Sequence, residues 1–168
     1  MKKVFIDGSA GTTGLRIFDR LHRRTDIQLL TLPESERKLE ASRKKMLNEA
    51  DVVFLCLPDD AACEAALWVE NPDTVVLDTS TAHRTAPGWC YGFPELSPVQ
   101  EARLRQAKRI AVPGCHASGF IALVYPLVSA GLLTPDALLS CYSLTGYSGG
   151  GKKMIAEYRA PERSFLLN

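Results

Sequence analysis

Short apolar runs alternate with amphipathic segments along the chain. The apolar runs predict six strands, at 3–7, 27–32, 51–57, 74–77, 109–112 and 138–144. Apolar residues three or four positions apart predict helices at 13–24, 36–48, about 59–69, from 98 onward and from 115 to about 131. This alternation predicts an α/β fold, with a Rossmann-like parallel sheet and helices on both faces.

Polar residues mark two of the helix starts. Ser97 followed by Pro98 is typical of a helix N-terminus. The sequence Pro58-Asp59-Asp60 predicts a second capped helix start. The stretch between 78 and 96, rich in Thr, Pro, Gly and aromatic residues, is predicted to be irregular.

Composition narrows the class of protein. The 168-residue chain has a net charge of +1, which gives no electrostatic basis for binding nucleic acid or an anionic membrane. Its longest apolar stretch, at 120–128, contains Pro126 and falls short of the roughly 20 residues of a membrane span. The five cysteines are odd in number and irregularly spaced, so neither a disulfide framework nor a metal site is expected. We expect a cytoplasmic protein in which Cys56, Cys63 and Cys141 are small buried hydrophobic residues.

A glycine-rich loop follows the first strand and opens the first helix. Glycines in this position let the backbone approach a pyrophosphate held at a helix N-terminus. The spacing is G-x-x-G-x-x-G, because Ala10 takes the place of the middle glycine of the usual G-x-G-x-x-G. The candidate cofactor-binding residues here are Gly8, Ser9, Gly11, Thr12, Thr13 and Gly14. A tight turn without a ligand is the open alternative.

Residues after the second and third strands also bear on a cofactor. Ser35 and Arg37 follow the second strand, where they could bind a 2′-phosphate and favour NADP(H) over NAD. Alternatively, Arg37 and Lys38 belong only to a solvated helix face. Pro58 follows the third strand, at the carboxyl edge of the predicted sheet where ligands bind in such folds.

Cys115 is the candidate nucleophile. It follows Pro113-Gly114 at the end of a strand and at the start of a long apolar helix. Unpaired amides and the positive end of the helix dipole favour a thiolate there, and a thiolate can attack a carbonyl or an acyl phosphate. A structural thiol is the alternative at this stage.

Arg84 is the candidate substrate-binding residue, because an arginine on a loop at the ligand edge could clamp a phosphate or carboxylate. An ordinary surface ion pair is the alternative for this arginine. Of the three histidines, His22 is expected to be exposed on the first helix, and His83 could approach the site. His116 is not expected to be the base that serves Cys115, because residues adjacent at a helix start point in different directions.

Several motifs together resemble a known family. They occur in this order: Gly8-x-x-Gly11-x-x-Gly14, Tyr91-Gly-Phe-Pro-Glu-Leu96, Val112-Pro-Gly-Cys115 and Gly146-Tyr-Ser-Gly149. The chain resembles the short-form N-acetyl-gamma-glutamyl-phosphate reductases, and its ending at 158–167 fits that form. The aspartate-semialdehyde dehydrogenases are wider relatives with the same type of fold and a cysteine nucleophile.

The resemblance implies an activity. Cys115 would displace inorganic phosphate from N-acetyl-L-glutamyl 5-phosphate, and NADPH would reduce the resulting thioester to the semialdehyde, a step of arginine biosynthesis. Arg84 would bind this anionic substrate, and Ser148 and Gly149 would join the cofactor-binding residues. An aspartate-semialdehyde dehydrogenase-like enzyme and a non-catalytic NADP-binding module are the alternatives.

The resemblance also implies a domain organisation. Residues 1–137 would form the NADP-binding domain, and residues 138–168 would begin a truncated α+β substrate and dimerisation domain. Members of the family carry an acid/base histidine in that second domain, assemble as homo-oligomers and return a C-terminal helix to the first domain. None of the three histidines matches that motif, so we expect an N-terminal half with little or no activity by itself.

Overall fold

The computed structural model describes residues 1–146 and 149–160. Its strands are β1 (Lys2–Asp7), β2 (Ile27–Leu30), β3 (Val52–Leu55), β4 (Val75–Asp78), β5 (Cys90–Tyr91) and β6 (Arg109–Ala111). Its helices are α1 (Thr12–Leu21), α2 (Glu40–Glu49), α3 (Asp59–Leu67), α4 (Pro98–Gln106), α5 (Cys115–Ser129) and α6 (Gly151–Arg159), with a 3₁₀ turn at Pro94–Leu96. The strands form one sheet in the order β2-β1-β3-β4-β6-β5, and every pairing is parallel. The predicted Rossmann-like α/β sheet is confirmed.

One face of the sheet carries the main core. Side chains of alternate strand residues meet apolar residues of α2, α3 and the positions just after them; the cluster contains Phe5, Leu47, Ala50, Val53, Leu55, Ala65, Val69 and Val76. Alternation along each strand sends the intervening residues to the other face. There the register aligns Ile6, Phe54, Leu77 and Ile110 in one row, of which the last three are only half-buried. The second face is therefore apolar and incompletely covered.

The two predicted helix caps have different outcomes. Ser97 is the N-cap of α4, since its hydroxyl accepts from the Gln100 amide at 3.1 Å, and Pro98 is the first helical residue. Helix α3 begins at Asp59 with Pro58 as its N-cap residue, where Pro58-Asp59-Asp60 predicts the start, but no side chain caps it, and Asp59 and Asp60 lie in its first turn. The Asp59 carboxylate is instead bonded to a neighbouring loop, described below.

Three element predictions also differ from the structure. Helix α2 begins at Glu40 rather than at residue 36, because residues 33–39 form successive turns that start at Pro33. The stretch predicted to be irregular contains β5, which is too short to leave a pattern. No strand is found at 138–144; these residues have no strand neighbour in the described part of the chain, and the side chain of Tyr142 is exposed. Within that part, no helix is long and apolar enough to cross a bilayer.

Candidate active site

Four loops that carry predicted site residues leave the sheet side by side. The register aligns the last residues of β1, β3 and β4 with Ala111, the last residue of β6. The loops that begin at Gly8, Cys56 and Thr79 and the segment that leads to Cys115 therefore start next to one another. This is the carboxyl edge, where parallel α/β sheets bind their ligands.

The first loop is packed against its neighbour without room for side chains. Gly8 has a φ of +83°, and a Cβ there would lie 2.2 Å from the Cys56 carbonyl oxygen. A Cβ on Gly14 would lie 2.4 Å from the Gly8 carbonyl oxygen, and the Gly11 amide donates to that same oxygen at 2.9 Å. Gly11 caps α1 with no side-chain hydrogen bond, so the first amides of α1, from Thr12 onward, are available to an anion.

A groove of about 1140 Å³ opens beside this loop, and we call it the first-loop groove. Its wall includes Gly8, Ser9 and Ala10 and, from the segment after β2, Arg37 and Lys38. Arg37 is held there by a hydrogen bond from Nε to the Leu32 carbonyl oxygen at 3.4 Å. The structure thus brings the glycine loop and Arg37 to the same groove.

Other predicted cofactor residues do not line the first-loop groove. Ser35 is exposed outside it, and Leu57 rather than Pro58 contributes to its wall. Thr12 and Thr13 are the first two residues of α1 and do not line the groove. The roles proposed for all of these residues stay predictions.

Sequence reasoning missed an ion pair at the base of this groove. Asp7, the last residue of β1, is 4% exposed. Arg43 of α2 meets its carboxylate with Nε 3.2 Å from both oxygens and Nη2 2.9 Å from Oδ2. The guanidinium also lies 4.7 Å from the centre of the Trp68 ring. A buried acid before a glycine loop signals that a cation must be near, but no sequence spacing indicates which one.

A second buried carboxylate orders the loop after β4. Asp78 is fully buried and accepts from the Ser80 amide at 2.9 Å and from the Ser80 hydroxyl at 2.6 Å. Its other contact is His83 Nδ1, at 2.6 Å, and the His83 ring stacks on Trp89 with centroids 3.9 Å apart. His83 is therefore committed to the loop and is not positioned as a base for Cys115.

The same loop is tied to α3. The Asp59 carboxylate accepts from the amide and the hydroxyl of Thr81, with a distance of 2.9 Å to the amide. These hydrogen bonds are the main reason that the pKa of Asp59 lies below its ordinary value, with a smaller contribution from the positive charge of Arg84. Two carboxylates, Asp59 and Asp78, therefore fix the segment that carries Arg84.

Arg84 lies directly against the backbone that precedes the candidate nucleophile. Its Nε donates to the Val112 carbonyl oxygen at 3.3 Å. A Cβ on Gly114 would lie 2.5 Å from Nη1 of Arg84, so glycine is needed for the guanidinium to lie there. Cys115, the next residue, is exposed and begins α5, as predicted. The geometry places a cation and a thiol at one helix start.

The start of α5 also offers hydrogen-bond donors. The first intrahelical bond runs from the Ser118 amide to the Gly114 carbonyl oxygen at 2.8 Å, and the Ser118 hydroxyl donates to the same oxygen. The amides of Cys115, His116 and Ala117 consequently have no acceptor within the helix. Donors in this position can stabilise an oxyanion formed at a carbon attacked by the Cys115 thiolate.

The other predicted residues near Cys115 lie on a second groove, of about 640 Å³, between α5 and the segment 139–146. Cys115, Gly146 and Gly149 contribute to its wall. Gly149 therefore lies beside the nucleophile rather than beside the first-loop groove. Ser148 lies outside the described residues. His116 is exposed and forms a hydrogen bond through Nδ1 with the Ser143 hydroxyl.

The remaining cysteines differ from Cys115 in environment. Burial raises the pKa of the Cys56 thiol to about 11, against a smaller opposing effect of a hydrogen bond with Thr79. Cys63 and Cys141 are exposed, so the prediction that they are buried hydrophobic residues is wrong. Within the described residues, no three His, Cys, Asp or Glu side chains are grouped as metal ligands.

Comparison with known proteins identifies the class. Residues 3–104 match the model of the semialdehyde dehydrogenase NAD-binding domain, and the chain belongs to that family. The fold is shared with aspartate semialdehyde dehydrogenase II from Vibrio cholerae, with a TM-score of 0.65 and 17% identity over 94% of this chain and 50% of that one.

Similar curated proteins carry a more particular name. The chain is 52% identical over 158 residues to N-acetyl-gamma-glutamyl-phosphate reductase 2 of Pseudomonas putida, and 53% identical over 156 residues to N-acetyl-gamma-glutamyl-phosphate reductase of a Chelativorans species. These alignments cover 94% and 93% of the chain, and 50% of each relative. The resemblance predicted from the motifs is confirmed, and the chain spans about half the length of these relatives.

Substitution of Gly8 tests the tight packing of the first loop. Gly8 and Gly88 share a positive φ, of +83° and +79°, but a Cβ on Gly88 would meet nothing within 4 Å. We expect Gly88→Ala to lower the free energy of unfolding by about 1 kcal/mol and Gly8→Ala by about 3 kcal/mol or more. Urea denaturation measures both, and equal losses would show that the contact with Cys56 is unimportant.

Thiol reactivity tests the special position of Cys115. Near neutral pH, we expect iodoacetamide to modify Cys115 about tenfold faster than Cys63 and Cys141, which are also exposed but do not begin a helix. Cys56 should react more slowly than these three exposed thiols, and its rate should rise only as the pH approaches about 11. Peptide mapping by mass spectrometry gives each rate. Similar rates at the three exposed thiols would contradict activation by the helix start.

Proposed function

We propose that the chain forms the nucleotide-binding and nucleophile-bearing half of an NADPH-dependent N-acetyl-gamma-glutamyl-phosphate reductase, acting in arginine biosynthesis. The observation that carries this proposal is the position of Cys115, which begins α5 directly beside the Arg84 guanidinium. The relatives named N-acetyl-gamma-glutamyl-phosphate reductase, about half identical over nearly the whole chain, indicate the substrate. The five free thiols are in keeping with a cytoplasmic location.

The first-loop groove fits a dinucleotide. A side chain at Gly8 or Gly14 would fill the space that the backbone needs, and the amides at the start of α1 have no side-chain cap competing for them. Arg37 and Lys38 line the same groove and supply positive charge suited to the 2′-phosphate that distinguishes NADP(H) from NAD. When bound, this cofactor supplies a hydride to the acyl carbon.

The residues of this chain account for acyl transfer. The Cys115 thiolate attacks the carbonyl carbon of the acyl phosphate, and the amides at the start of α5 stabilise the oxyanion. The bond between that carbon and the phosphate oxygen then breaks, and inorganic phosphate leaves with the electron pair. Arg84 balances the charge of the anionic substrate, and the acyl group remains on Cys115 as a thioester. Once the acyl carbon has taken up a hydride, the aldehyde would leave and Cys115 would regain its thiolate.

The reaction also requires a group that donates and accepts a proton, and we assign that role to no residue of this chain. His83 is bonded to Asp78, and His22 is exposed on the turn after α1, where its Nδ1 contacts the Phe18 carbonyl oxygen. We propose that the acid/base group belongs to the part that the relatives have in addition, and that residues 138–168 begin that second domain. The half-buried row at Phe54, Leu77 and Ile110 leaves room for further polypeptide. Homo-oligomerisation through the second domain is part of the same proposal.

Acyl transfer to Cys115 is measurable without the missing acid/base group. We expect incubation with N-acetyl-L-glutamyl 5-phosphate to add one N-acetylglutamyl group per chain, detected by intact mass and removed by hydroxylamine. Cys115→Ser should abolish the adduct and Cys63→Ser should retain it. Arg84→Met should slow its formation about tenfold or more, because a charge-assisted contact to the substrate is lost. An adduct that persists in Cys115→Ser, or none in the wild type, would contradict the proposed nucleophile.

A further inference from the structure

The Asp7 carboxylate lies where its negative charge would oppose the binding of a dinucleotide. It ends β1, its Cα is one residue, about 3.8 Å, from that of Gly8, and its side chain is 95% buried. A pyrophosphate at the start of α1 would bring further negative charge to this loop. Like charges repel, and they repel more strongly in a partly buried environment than in water, so an ionised Asp7 near the pyrophosphate would weaken binding. An unscreened Asp7 would therefore oppose the cofactor.

Arg43 removes this opposition in the structure. Its Nε and Nη2 are both bonded to the Asp7 carboxylate, and its side chain is 13% exposed. The guanidinium is steadied from a second direction by the Trp68 ring. Arg43 also contributes to the wall of the first-loop groove, together with Gly8 and Ser9. Its charge therefore adjoins both the buried carboxylate and the groove in which a cofactor would bind, and Asp7 lines that groove as well.

We propose that Arg43 is a positioning residue that screens Asp7 from the pyrophosphate of the bound dinucleotide. The proposal rests on the proposed function, since it requires a dinucleotide in the first-loop groove. Under this proposal, Arg37 and Arg43 have different roles. Arg37 has one weak backbone contact and serves the 2′-phosphate, whereas Arg43 has its donors on Asp7 and serves the pyrophosphate, which NAD and NADP share.

Binding of NADP⁺ and NAD⁺ to the full chain, measured by calorimetry, tests this division. Arg43→Gln removes the charge but retains a donor for Asp7, and it should raise both Kd values about tenfold without changing their ratio. Arg37→Ala, the matched variant, should raise only the Kd of NADP⁺. Adding Asp7→Asn to Arg43→Gln should return both Kd values to within about threefold of the wild type, because no charge is then left to screen.

Each outcome decides the proposal. A loss confined to NADP⁺ in Arg43→Gln would mean that Arg43 binds the 2′-phosphate itself, and no recovery in the double variant would exclude screening. If Arg43→Gln does not fold, as judged by circular dichroism, Asp7→Asn decides alone: both dinucleotides should bind about threefold tighter, and unchanged Kd values would overturn the proposal. A wild-type chain that binds neither dinucleotide would instead refute the proposed function.

Discussion

The close approach of the Gly8 backbone to the Cys56 carbonyl lets the loops at the carboxyl edge of the sheet adjoin, and the Cys56 amide donates to the Asp7 carbonyl oxygen at 2.8 Å beside it. A side chain at Gly8 would overlap that carbonyl, so the loop after β1 and the loop after β3 can adjoin only through glycine. The next loop joins the same edge, because the Thr79 amide and hydroxyl both donate to the Leu55 carbonyl oxygen at 3.0 Å. Backbone contacts thus bring together loops that are distant in the sequence, and the candidate site is built on them.

Two buried carboxylates then give this edge its charge distribution. Burying an ionised acid is costly unless charged or hydrogen-bonding partners satisfy it. Asp7, which lines the first-loop groove, is satisfied by the Arg43 guanidinium. Asp78 is satisfied by Ser80 and His83 and thereby fixes the loop that holds Arg84 against Gly114. A buried carboxylate with satisfied partners thus lies beside the proposed cofactor site at one loop and beside the loop that contacts the proposed nucleophile at another.

Prediction from sequence succeeded where the determining interactions are local. The apolar runs of the parallel strands, the Ser97 cap and the start of α5 at Cys115 depend on neighbouring residues and were all found in the structure. The late start of α2 was missed because Pro33 begins turns that compete with the helical pattern. The predicted strand at 138–144 failed because a strand needs a partner, which an apolar run does not supply.

The site was only partly predictable for a related reason. The glycine loop and Arg37 are close in sequence to the strands they follow, and the structure brings them to one groove. Arg43 is 36 residues from Asp7, and Asp59 is 22 residues from Thr81, so their pairing depends on the completed fold. The exposure of Cys63 and Cys141 likewise depends on what covers α3 and the segment after α5.

The central claim is that the first-loop groove and Cys115 serve one reaction at one edge of the sheet. The most direct test is the rate of Cys115 alkylation by iodoacetamide with and without saturating NADP⁺, with Cys63 on α3 as the internal reference. We expect bound NADP⁺ to protect Cys115 about tenfold and to leave Cys63 unchanged, since the nicotinamide would lie beside the nucleophile. Binding of NADP⁺ that leaves the Cys115 rate unchanged would contradict a shared site.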